Sequence, residues 1–257
     1  MSASLYALSP LDGRYASATK SLTPYFSEYG LIYYRVRVEV EYFIALTGAV
    51  PELKKFPNEK IAALRSVYET FNEADATAIK EIEKTTNHDV KAVEYFLKNK
   101  FDELSLSDYK EFIHFGLTSQ DVNNTAIPLS LKEAMITVLL PAMDTIISLL
   151  VKFSGEWKDI AMLARTHGQP ASPTRLGKEF DVFVVRLQKQ VELLNTIPYS
   201  AKFGGATGNF NAHHIAYPEI NWVTFAERFV NTQLGLHRSN PTTQIEHYDN
   251  LAALFDN

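Results

Sequence analysis

Apolar positions recur every three to four residues along most of this chain, the spacing of helices that bury one face. Tyr29, Tyr33, Val36, Val40, Phe43 and Ile44 predict a helix over 26–46. Pro51, Pro57 and Asn58 break the chain, and helices are expected over 59–72 and 75–83. Val90, Val93, Phe96 and Leu97 form the buried stripe of the next helix, with Thr86 or Asn87 as its N-cap. Helical patterning over 108–115 stops at Gly116. Thr118-Ser119-Gln120-Asp121 then reads as a capping-box-like start, with Thr118 bonding the Asp121 N–H. From there Val122, Ala126, Leu129, Ala134, Val138, Ala142, Ile146, Leu149 and Phe153 keep one face apolar to Ser154. Pro128 and Pro141 should kink this helix without ending it, and at 1.5 Å per residue it would reach roughly 50 Å.

Gly168, Pro170 and Pro173 mark 164–173 as a loop, with Ser172 as N-cap and Pro173 as first residue of a helix running to Thr196. Phe203 to Asn211 is glycine-rich but lacks the Lys-Ser/Thr of a P-loop, so its glycines are expected to serve tight turns or close packing. A helix after Tyr217-Pro218 ends near Gly235, Pro241 to Gln244 form a polar loop, and a last helix begins near Glu246. Its stripe has only started at Leu251, Leu254 and Phe255, with no C-cap signal, so a chain continuing past Asn257 is expected. No strand-length alternation or repeat stands out. The predicted fold is nearly all α.

Composition narrows the class. The 257 residues suffice for one large domain or two smaller ones, and 46% apolar with 21% charged residues is ordinary for a soluble protein. Zero cysteines exclude disulfides and thiolate metal sites and fit a cytoplasmic setting. A net charge of −5 argues against a general nucleic-acid or membrane-surface binder. The opening ten residues lack the basic start of a secretory signal. Thr137, Pro141 and Asp144 interrupt the longest apolar run, so no bilayer-spanning segment is expected.

Candidate chemistry collects at two helix starts and at one loop exit. Arg165, Thr166 and His167 place a cation, a hydroxyl and an imidazole side by side, just upstream of a helix N-terminus where anions are favoured. His167 is either a general acid or base or a turn histidine bonding local backbone. His88 and Asp89 remain after capping needs are met, although Asp89 also suits the helix dipole. Arg14, pinned by Pro10-Leu11-Asp12-Gly13, is either a phosphate or carboxylate clamp or a solvated arginine.

Taken together, Ser9 to Tyr15, Thr85 to Tyr95, Phe112 to Asn124, Arg165 to Pro173 and Pro241 to Glu246 resemble the adenylosuccinate lyase family, in its bacterial branch, within the fumarase and aspartase superfamily. The similarity preserves order and spacing over essentially the whole chain. It implies an all-α long-helix bundle and cleavage of adenylosuccinate to AMP and fumarate, and of SAICAR to AICAR and fumarate, in purine synthesis. It further implies no metal or organic cofactor, and a homotetramer whose active sites each draw on three chains. By the same resemblance His167 is the general acid, Arg14 and Tyr15 bind the nucleotide, and Asn87, His88 and Asp89 form a second substrate cluster with His88 on the phosphate side. Thr118 and Ser119 would donate to a substrate carboxylate, and Gln244 would add a contact. The family's basic serine, in a Ser-Ser-x-Met-Pro-x-Lys-x-Asn-Pro loop, has no counterpart here and is expected beyond Asn257. A chain of these residues alone is expected to lack lyase activity, with 1–115 an N-terminal helical domain and 116–257 an incomplete central bundle. Competing readings are argininosuccinate lyase, a non-catalytic helical assembly module, and a hydrolase with His88, Asp89, His114 or His213-His214 on a metal.

Overall fold

In the computed structural model, which describes residues 7–257, packing divides the chain into two compact units. One comprises 7–133 with Tyr199–Tyr248, the other Ala134–Pro198 with Asp249–Asn257. Residues 1–6, part of the stretch read as lacking a secretory signal, lie outside the described residues. This packing division falls inside the longest helix, whereas the expected domain boundary at 115/116 was drawn from sequence pattern.

The first unit is built on α2 (Glu28–Thr47), which follows the short α1 (Thr23–Phe26) and is capped by the Ser27 side chain accepting the Gly30 N–H. Val36, Val38, Val40, Tyr42, Phe43 and Leu46 are all buried, so α2 is enclosed on more than one face and not merely on a stripe. Around it pack α3 (Ile61–Glu69), α4 (Glu73–Thr86) and α5 (Asp89–Glu103). Asn72 and Asp75 close a full capping box on α4. Phe43 meets Phe101 edge-on at 4.7 Å between ring centres.

Three sequence expectations change here. Asn87 does not cap α5: at φ 49° it is the left-handed residue that ends α4, leaving the extended His88 as N-cap. Only these two residues separate the helices, so one must reverse the chain before the other can cap. Residues Ser107–Phe112 form 3-10 turns and no α-helix. At the next helix the Thr118 N–H donates to Asp121 Oδ2 at 2.8 Å, the half of the capping box supplied by the acid.

That helix spans Ser119–Glu156, 38 residues, as α6 (Ser119–Ala134), a π-helical turn (Met135–Leu139) and α7 (Leu140–Glu156). The π turn ends two residues before Pro141, whose ring would otherwise meet the carbonyl one turn back. Contrary to expectation, this helix is long and apolar enough by length and composition to cross a membrane, with a mean hydropathy of 2.1 in its richest window. Thr137, Pro141 and Asp144 dilute the apolar run too little to prevent that.

In the second unit α7 pairs with α8 (Leu176–Leu194). The Phe153 and Trp157 rings stack at 4.6 Å, with Phe180 edge-on to Trp157 at 4.8 Å. Between the helices lies a hairpin, β1 (Ala161–Thr166) antiparallel to β2 (Gln169–Arg175), where a loop and a helix start were expected. Ser172 and Pro173 therefore sit in a strand. The first amides of α8 are satisfied elsewhere, Leu176 N–H by the Ile160 carbonyl at 2.9 Å and Gly177 N–H by that of Trp157 at 3.0 Å. Because both strands of a two-stranded ribbon are edges, Pro170 and Pro173 are tolerated.

The chain then returns to the first unit with β3 (Ser200–Ala201), α9 (Asn211–Ala216), α10 (Trp222–Glu227) and β4 (His237–Arg238), β3 and β4 pairing in parallel. A π-helical segment, Arg228–Gln233, continues α10, and α11 (Asp249–Asp256) ends the described chain. The fold is all-α with these two small ribbons.

Candidate functional site

The helix start at α5 presents its N-cap outward. His88 Nδ1 accepts the Lys91 N–H at 3.1 Å, so the neutral ring carries its proton on Nε2. That nitrogen lies 3.3 Å from Ser119 Oγ. His88 and Ser119, predicted as site residues from separate helix starts, are thus brought together. Beside them Asp89 binds the buried Arg35 guanidinium at 2.6 Å, and Arg35 also donates to Asn123 Oδ1 at 2.8 Å. Partial burial would raise the Asp89 carboxyl, but Arg35 and the Val90 N–H outweigh it and hold Asp89 below its ordinary range.

Two clefts meet at His88. One, of about 610 Å³, is lined by Arg35, Lys80, Lys84, Asn87, His88 and Asp89, with Glu28 and Glu83 both paired to Lys80. The other, of about 420 Å³, is lined by Thr86, His88, Lys91, His114, Thr118 and Ser119 among others. Cationic and neutral donors dominate this second rim, while Glu94 is engaged by Lys91 at 2.7 Å. Such a rim suits an anionic ligand with several acceptor oxygens.

Sequence reasoning missed three side chains here. Arg35 and Glu39 stand one turn apart within the buried run of α2, and charge at that spacing in an apolar helix was the available signal. Glu39 Oε1 makes a short contact with His114 Nδ1. Burial opposes charge on His114, but Glu39, with Glu94 and Asp121 adding, prevails and raises it above the ordinary histidine range. Lys202, wholly buried against Asp121, carried no sequence signal.

Of the other predicted residues, Arg14, Tyr15 and Gln244 belong to the first unit and His167 to the second. Arg14 and Tyr15 are exposed on a run of turns, the guanidinium 5.5 Å from the Tyr15 ring centre. Among the described residues no hydrogen bond or ion pair joins them to His88, Asp89 or Ser119. Gln244 is exposed in a loop held from within, where the Glu246 N–H donates to the buried Asn124 Oδ1 at 3.0 Å. In the second unit His167 occupies the exposed hairpin tip with φ 50°, followed by Gly168 at 77°, the two positive values of a two-residue turn closed by Thr166 and Gln169. It does not stand at a helix N-terminus as expected, since α8 begins only at Leu176. Its exposed ring is held by no hydrogen bond among the described residues, which leaves both nitrogens open to a ligand.

Comparison with known proteins adds an independent line. The model of the family described as "Lyase" matches residues 13–257. An adenylosuccinate lyase of Dictyostelium discoideum is 54% identical over 98% of this chain and 56% of its own length. That of Escherichia coli (strain K12) is 46% identical with the same coverage. The chain thus spans a little over half the length of these curated relatives. Among solved structures, a fumarate lyase of Mesorhizobium sp. BNC1 superposes with a TM-score of 0.72 at 20% identity, over 92% of this chain and 52% of that one. A 3-carboxy-cis,cis-muconate lactonizing enzyme of Pseudomonas putida gives 0.69 at 19%, over 92% and 51%. These likenesses carry the fold.

Proposed function

The chain belongs to the lyase family whose model matches residues 13–257, and from that premise we propose that it is part of an adenylosuccinate lyase, eliminating fumarate from adenylosuccinate and from SAICAR. The high identity to proteins of that name supports the substrate. The single structural observation that carries it is the His88–Ser119 juxtaposition. An Nε2–H and a hydroxyl from two helix starts converge beside Lys91 and Thr118 in one cleft, which suits a substrate bearing carboxylate and phosphate oxygens.

β-Elimination removes a proton beside a carboxylate, stabilises the resulting dianion and protonates the departing nitrogen. We assign Thr118 and Ser119 to the carboxylate, Asn87, His88 and Asp89 to a second substrate cluster with His88 on the phosphate side, Arg14 and Tyr15 to the nucleotide, and Gln244 to a further contact. His167 is assigned as general acid, its exposed ring at a hairpin tip being free to meet a leaving group. No residue of 1–257 is assigned as the base. The bundle domain, the homotetramer and a cytoplasmic location belong to the same proposal, and the exposed apolar side chains of α7 and α8 favour assembly.

The test is steady-state cleavage of adenylosuccinate by the full-length protein. Wild type should release fumarate, His167→Ala should lose about 10²–10⁴-fold in kcat, and His88→Ala should mainly raise KM. A wild-type enzyme that spares adenylosuccinate but cleaves argininosuccinate would replace this proposal with the competing lyase.

A further inference from the structure

We propose that Asp121 and Lys202 are positioning residues for the Thr118–Ser119 donors: their buried pair locks the start of α6 to the glycine-rich loop and fixes where those donors stand, a role that rests on the lyase proposal above. Both side chains are wholly buried and 2.8 Å apart. Asp121 Oδ2 accepts the Thr118 N–H at 2.8 Å. Its Oδ1 accepts Lys202 Nζ and the Gly204 N–H, each at 2.8 Å, and the Gly205 N–H at 3.1 Å. Lys202 Nζ also donates to the Gly205 carbonyl, and the Lys202 N–H donates to that of Asn124 at 3.3 Å. Thr118 therefore cannot shift against the loop without breaking a contact to one shared carboxylate.

Stability alone does not call for this pair, because apolar side chains of equal volume often hold a core as well as a buried ion pair does. An apolar pair, however, sets no direction. Here the converging donors come from the loop before α6 and from the loop at 203–209, and neither loop has slack. A Cβ on Gly204 would fall 2.8 Å from the Gly208 carbonyl oxygen, and Gly205 needs φ +78°. The frame extends to Gln244. A Cβ on Gly208 would fall 2.4 Å from the Thr242 carbonyl oxygen, and Asn124, one turn beyond Asp121, accepts the Glu246 N–H and donates to Tyr248 at 2.8 Å. One buried face of α6 thereby ties the Thr118–Ser119 turn and the Gln244 loop to the same support.

The experiment compares kcat and KM for adenylosuccinate in four full-length proteins: wild type, Ser119→Ala, the paired variant Asp121→Asn with Lys202→Met, and all three changes together. The paired variant leaves no unpartnered buried charge. It should keep the wild-type circular dichroism spectrum and raise KM by about tenfold or more, and that rise should largely vanish in the Ser119→Ala background. A paired variant with wild-type KM, or penalties that multiply independently, overturns the proposal. Should the variant not fold, amide exchange of the wild type decides. The Thr118, Gly204 and Gly205 amides should gain protection together on saturation with fumarate, and unlinked responses overturn the role. A wild type inert toward adenylosuccinate overturns the lyase proposal instead, without bearing on the pair's geometry.

Discussion

His213 and His114 both border the 114–117 turn, and their surroundings push them in opposite directions. The Tyr42 hydroxyl donates to the Phe115 carbonyl at 2.7 Å, so it must accept from His213 Nε2 at 3.0 Å. His213 Nδ1 is buried without a partner among Phe115, Phe210 and Trp222. Burial is the largest influence and takes His213 down to about 4. A histidine depressed on folding is neutral in the native state and protonates first in the unfolded one. Stability should accordingly fall as pH drops from about 6.5 towards about 4, by at most ~3 kcal/mol, and level off below. Urea unfolding of wild type and His213→Gln across that range checks this, and an equal slope in both proteins counts against it. His114 works the other way, being raised by Glu39 against its own burial: its contribution is complete below about 6.5 and is lost as pH climbs through its raised value. An NMR titration of Glu39→Gln should show the His114 midpoint moved down, and an unmoved midpoint would remove Glu39 as the cause. Of these two environments the sequence disclosed nothing, because each depends on groups brought in from distant elements.

Helices were legible because each buried face repeats at a fixed spacing, as Val90, Val93 and Leu97 do in α5. The β1–β2 hairpin was not, because its strands bury little and their exposure pattern leaves no apolar alternation to read. Its available signal was the dipeptide His167-Gly168 between pairable segments, a two-residue turn with positive φ at both positions. The pairing of α7 with α8 depends on Gly177, where a Cβ would lie 2.3 Å from the Ser154 carbonyl oxygen and 2.7 Å from Lys158 Cα. Gly177→Ala should therefore destabilise by about 1–3 kcal/mol, in the manner of an overpacked core. Chemical denaturation monitored by Trp157 fluorescence reads it, and an unchanged midpoint would mean that the helices separate at little cost.

At the scale of the molecule, α7 has no buried residue, while Ile146, Leu149 and Val151 on it and Val182, Phe183, Val185 and Leu193 on α8 are exposed. Of the stripe read along the long helix, Val122, Ala126, Leu129 and Ala134 are buried whereas Ile146 and Leu149 are exposed, and the exposed apolar side chains of α7 and α8 are consistent with the proposed assembly. Val182→Glu with Val185→Glu, an i, i+3 pair on one exposed side of α8, should in the full-length protein shift sedimentation to smaller species, and an unchanged tetramer would exclude that face from the interface. By itself the sequence determined the all-α class, most helix extents and the polar segments that hold His88, Ser119 and His167, because helix periodicity and turn chemistry act between near neighbours. Tertiary structure alone decided that His88 meets Ser119, that Arg35 grips Asp89 and that Lys202 closes on Asp121. Those contacts join residues 31, 54 and 81 positions apart, and only the packed core, through excluded volume and the cost of stranding a buried charge, selects which distant groups meet.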